Sequence, residues 1–120
     1  MVRCAQEICD RFDGEVPSEE ADLLGLFGVG PQRAAAVRCF GFGLPVVQAS
    51  VPTERMLRRL FGTGPLAPTA ALRDTALSLM PSGSAVEFNY AIIDIAGSIC
   101  RTAEPKCWEC PVSNHCESHK

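Results

Sequence analysis

The chain has 120 residues, 47% of them apolar and 21% charged, the size and composition of one folded domain and not of a disordered segment. Its N-terminus, MVRCAQEICD, lacks the apolar core of a secretory signal, and no stretch reaches the roughly 18 uninterrupted apolar residues of a membrane span, so a soluble, cytoplasmic or otherwise intracellular protein without membrane contact is expected. The formal net charge of −3 is unevenly spread, with −5 over residues 1–32, +5 over 33–73 and −3 over 74–120; a phosphate-binding strip on an acidic protein is therefore not excluded, beside the plainer reading of a basic, solvated helix face.

The pattern is helical almost throughout and indicates an all-α fold. Residues 3–12 carry helically spaced apolar side chains (Val2, Ala5, Ile8, Cys9, Phe12) and stop near Gly14. A second helix is predicted from PSEEADLLGL, with Ser18 as N-cap, Glu19 and Glu20 favoured by the dipole of the first turn, and Gly28 as its end. Pro31 suits a first helical position, and the helix it opens runs past Arg33 to Phe40, where Gly41 and Gly43 terminate it. After the extended piece GLPVV, a helix begins around Ser50–Pro52 and runs to Gly62, with Met56, Leu57 and Leu60 facing inward and Arg55, Arg58 and Arg59 free outside. Glu54 is expected to pair with Arg58 at i,i+4. A linker, TGPLAP, precedes a helix over about 69–80, stopped by Pro81, and another over about 84–99 with Phe88, Ile92, Ile95 and Ile99 on one stripe.

Seven cysteines in a chain read as intracellular suggest metal binding or packing before disulfides. Cys4, Cys9 and Cys39 lie in helical patterns and are expected to be small buried hydrophobes. The other four form Cys-x6-Cys-x2-Cys-x5-Cys through Cys100, Cys107, Cys110 and Cys116, in a tail too rich in Cys, Pro and polar residues to pack without a metal. A zinc ribbon usually pairs Cys-x2-Cys with a second such pair across a longer gap, whereas four thiolates are the ligand set of an iron–sulfur cubane; on spacing, cluster and zinc both stay open. His115 is expected at the surface.

This spacing, directly after the helix EFNYAIIDIAGSIC, resembles the cluster loop of the endonuclease III and adenine (mismatch) DNA glycosylase superfamily. The stretch LLGLFGVGPQRAAAV independently resembles that family's helix-hairpin-helix. The resemblance implies a [4Fe–4S] cluster rather than zinc on Cys100, Cys107, Cys110 and Cys116, and double-stranded DNA as partner, at the nucleoid in a bacterial host. It implies DNA contacts from the Gly28-Val29-Gly30 turn, from Arg33, from Arg55, Arg58 and Arg59, and from Arg101 and Lys106 in the loop. Gln32 stands two residues after the second hairpin glycine, where a lysine gives Schiff-base strand cleavage in some branches; no lysine occurs between Met1 and Pro105. VVQASVPTERMLRRLFG resembles the stretch that carries the family's catalytic aspartate, and Gln48 is aligned with that acid. A neutral amide neither accepts a proton from water nor stabilises a developing positive charge.

The resemblance extends over nearly the whole chain yet corresponds to the C-terminal half of a family enzyme. It implies a truncated glycosylase-like domain over residues 1–99, a cluster loop over 100–120, and an exposed apolar face that a second chain or another copy would cover. The expected function is DNA binding with little or no glycosylase or lyase activity. The alternatives are an active base-excision glycosylase completed by a partner chain or by preceding sequence, and an interaction module that keeps the cluster only to hold its tail.

Overall fold

The structure, a computed structural model, describes residues 1–119; Lys120, the second of the two lysines, lies outside the described residues. Every regular element among them is helical. The order is α1 (Val2–Phe12), α2 (Glu20–Leu24), α3 (Pro31–Ala36), α4 (Val51–Phe61), α5 (Thr69–Leu79) and α6 (Ala85–Asp94). Helix α3 runs on as a π-helical turn over Val37–Gly41, and α6 does the same over Ile95–Ile99. Three single 3-10 turns, Cys107–Glu109, Ser113–His115 and Glu117–His119, are the regular elements described in the tail.

The body is elongated, 53 × 28 × 23 Å, because it is built on two apolar clusters in place of one. Leu23, Leu26 and Ala34 bring α2 and α3 together over Cys4, Ile8 and Phe12 of α1. Val47, Met56, Leu57, Leu72, Ala76, Ile92 and Ala96 join α4, α5 and α6, with Phe88 and Ile95 against them, as the stripe of α6 predicts. Between the clusters Phe40 stacks on Tyr90, ring centroids 4.7 Å apart.

Several local expectations change. Helix α2 is shorter than predicted: its N-cap is Glu19, Ser18 makes no capping bond, and the helix ends at Leu24, so Gly28 belongs to the following turn. The apolar side of α1 is the narrow stripe Cys4, Ile8, Phe12; Cys9 is exposed and Cys4 only half-buried, because α1 is covered from one side alone. Cys39 is fully buried, as expected. Helix α4 opens on a capping box: the Ser50 N–H donates to Thr53 Oγ1 at 2.6 Å. It closes at Gly62, whose φ of +67° favours glycine.

Candidate nucleic-acid interface and cysteine centre

The α2–α3 turn is held by its own backbone, Leu26 N–H to Leu23 O at 3.1 Å and Val29 N–H to Leu26 O at 3.2 Å. Gly28 has φ +77°, a conformation side chains rarely adopt, and a Cβ on either Gly28 or Gly30 would meet nothing within 4 Å. The turn is therefore an open surface. Arg33 donates to Gly28 O at 2.6 Å and so braces it, while Gln32 lies exposed on the first turn of α3, which has no side-chain cap. An uncapped helix start leaves N–H donors and the positive end of the helix dipole available to an anion.

Gln48 is buried, 9% exposed, between Val47 and Ala49. Its N–H donates to Asn89 Oδ1 at 2.7 Å; the side-chain amide forms no hydrogen bond among the described residues. Asn89, fully buried, uses its Nδ2 on Val46 O at 2.7 Å, Ala85 O at 2.8 Å and Cys39 Sγ at 3.2 Å. This asparagine, which the sequence reading missed, ties the extended 46–48 segment to α6; its only signal is a polar residue on an otherwise apolar stripe of EFNYAIIDIAG. The residue that begins the arginine-bearing helix is Ser50, two positions beyond Gln48. Neither position is a carboxylate, and the first acid, Glu54, is one turn into α4.

The arginines of α4 are not free outside, as their helical positions predict, but half-buried and occupied. Arg55 donates to Ala96 O at 3.0 Å and to Cys100 O at 3.0 and 3.3 Å. Arg58 donates to Gly64 O at 3.0 Å and Ala67 O at 2.7 Å, and Arg59 to Arg101 O at 2.6 Å and Thr102 O at 3.1 Å. The reason is local: the chain after α6 and the proline-rich linker after α4 hold carbonyls that no helical N–H reaches, and guanidinium groups satisfy them. The expected Glu54–Arg58 pair does not form, because Arg58 has turned to the linker. Beside these residues runs an open groove of about 390 Å³, lined by Val51, Glu54, Arg55, Arg58, Arg59 and Thr63. Arg101 is exposed, and Lys106 lies 3.7 Å from Glu109.

All four tail cysteines line one cavity of about 150 Å³, with Ile99, Pro105 and Arg59 in its wall. Among the described residues no three His, Cys, Asp or Glu side chains are placed to hold a metal ion. His115 is exposed, as expected.

No family model matches the chain. It is 30% identical over 123 residues to the thymine/uracil-DNA glycosylase of Methanothermobacter thermautotrophicus, covering 100% of this chain and 56% of that protein. To the adenine DNA glycosylase of Mycolicibacterium smegmatis it is 35% identical over 121 residues, 97% of this chain and 40% of that one. The solved structure of a thermostable thymine-DNA glycosylase overlays with a TM-score of 0.88 at 30% identity, across 98% of this chain and 55% of that chain. Over nearly its whole length the chain is similar, in sequence and in fold, to part of the endonuclease III and adenine DNA glycosylase superfamily, consistent with the C-terminal half of such an enzyme. It spans about half the length of the curated superfamily members that it matches. No helix among the described residues is long and apolar enough to cross a membrane.

Proposed function

We propose that this chain binds double-stranded DNA through its hairpin turn and neighbouring basic residues, carries a [4Fe–4S] cluster, and performs neither base excision nor strand cleavage by itself. The observation that carries the reading is the segment between Val46 and Thr53: pinned by Asn89 and capped at Ser50, it resembles the family's acid-bearing stretch, yet holds no carboxylate at Gln48 or Ser50. Loss of general-base assistance alone costs about 10²–10⁴-fold. Gln32, an amide in place of an amine, has no nucleophile to offer a sugar carbon.

Four thiols lining one cavity of about 150 Å³ supply a complete thiolate set, and the likeness to the endonuclease III cluster loop favours Cys100, Cys107, Cys110 and Cys116 as ligands of a cluster over zinc. When bound, such a cluster ties the tail together and supplies a one-electron centre. Hairpin contacts at Gly28, Val29 and Gly30 would position DNA without reading sequence.

A second reading, an active glycosylase completed by another chain or by preceding sequence, draws on one feature. An open groove of about 660 Å³ is walled by Val16, Ala36, Val37, Phe40 and Phe42, apolar surface of the kind that packs against protein. One experiment tests the proposal. The purified chain is incubated with duplexes carrying uracil, thymine–guanine or oxidised-guanine–adenine pairs. Bound but uncleaved DNA without abasic sites is expected, and release of any base by the chain alone overturns the proposal.

A further inference from the structure

Arg59 touches both ends of the cysteine array. Its Nη1 donates toward Cys100 Sγ at 3.5 Å and to Arg101 O at 2.6 Å, and its Nη2 to Thr102 O at 3.1 Å. On the other side, the Cys116 thiol sits against the main-chain oxygen of Arg59 at 3.5 Å. Cys100 and Cys116 are the first and last cysteines of the array, so one residue of α4 registers both against the same helix. The neighbouring Arg58 has the same charge and is likewise half-buried, but its guanidinium is turned to Gly64 O and Ala67 O and it does not line the cysteine cavity. The difference between the two is therefore contact with sulfur, not charge or helix position.

Of the two sulfur contacts, the one to Cys100 comes from a guanidinium N–H, so Arg59 places a cationic donor on that sulfur. A cation donating to a ligand sulfur stabilises the more negative of two oxidation states, and groups that orient a ligand from behind slow its loss. We propose that Arg59 is the positioning residue of the cysteine centre, holding Cys100 and the loop after it against α4 and, on the reading above that the four cysteines carry an iron–sulfur cluster, raising that cluster's reduction potential.

The test uses the full chain purified without oxygen, as wild type and as Arg59→Met, Arg59→Lys and Arg58→Met. Iron per chain, the one-electron potential at an electrode and the rate of iron release to a chelator are measured. Arg59→Met is expected to shift the potential to more negative values and to release iron about tenfold faster. Arg59→Lys, which keeps the charge but not the planar fork, is expected to fall between it and wild type, and Arg58→Met to match wild type. If Arg59→Met does not load iron, Arg59→Lys decides, and a wild-type potential and release rate in it overturn the inference. Iron present with properties indifferent to Arg59 overturns the inference alone. Wild-type protein without iron overturns the cluster reading and the inference together.

Discussion

Asn89 is the residue whose loss should be felt furthest from its own position. Replacing it with alanine or leucine orphans the buried Gln48 N–H and the partly buried Val46 carbonyl. A buried group left unpaired costs about 1–3 kcal/mol, so Asn89→Leu is expected to lower the unfolding free energy, read from urea titrations, by at least that amount; an unchanged value would mean that the 46–48 segment is held by something else. Cys39, which accepts from the same amide, offers a second reading of this site. Burial pushes its thiol above the ordinary value of 9.0, with Asn89 opposing and the charge of Glu87 adding to the shift. A raised folded-state value means that its contribution is complete below the unfolded value and lost as pH rises from there through the folded value. Stability is therefore expected to fall above about pH 9, and Cys39→Ala should flatten that part of the profile relative to wild type in denaturation curves taken across the alkaline range. Asn89 was not legible in the sequence, because helical periodicity records which side is covered and says nothing of which main-chain groups wait there.

At the scale of the element, the junction between α4 and the last turn of the tail rests on Gly62. It combines φ +67° with a close approach, since a Cβ there would come within 2.8 Å of Glu117 Cβ. Gly14 has a similar φ of +82° but nothing within 4 Å. Gly14→Ala should therefore cost only the left-handed penalty of about 1–2 kcal/mol, whereas Gly62→Ala should exceed it and, in hydrogen exchange, loosen residues 117–119 as well. Equal losses with an unaltered tail would show that the contact yields freely. Helices α4, α5 and α6 were legible to within a residue or two, because apolar spacing, prolines and glycines coincide there. The end of α2 was not, since Gly25 and Gly28 are equally good stops and only the turn geometry chooses between them. The fate of the arginines was hidden for a related reason. A helical wheel shows that Arg55 and Arg59 point away from the core, but the carbonyls that capture them, at 96 and 100–102, lie more than a helix away in sequence.

For the whole molecule, those internal bonds decide how much of the basic segment remains for DNA. Residues 33–73 carry a net +5, which taken alone suggests strong, steeply salt-dependent binding. Arg55, Arg58 and Arg59 hold carbonyls of their own chain, and Arg38 holds Ser18 O at 3.1 Å and lies 3.8 Å from Glu20. Arg33 and Arg101 also donate to main-chain oxygens, Gly28 O at 2.6 Å and Glu104 O at 3.3 Å, but unlike the α4 arginines they are exposed and reach only their own loops; Lys106, among the described residues, is paired with Glu109 in a surface pair of the kind that contributes little and yields readily to a phosphate. Three phosphate contacts at about 0.9 each give a slope of log K against log salt near −3. Anisotropy titrations of a short duplex at several salt concentrations measure it directly. Arg33→Ala and Arg101→Ala are each expected to make the slope shallower by about one, as loss of a phosphate contact does. Arg55→Met should leave the slope alone and lower the thermal midpoint, because it frees the carbonyls of Ala96 and Cys100. A slope near −6 that collapses on changing Arg55, Arg58 and Arg59 would mean that these guanidinium groups leave their internal carbonyls for DNA, and that the α4 groove and not the hairpin is the main anion surface.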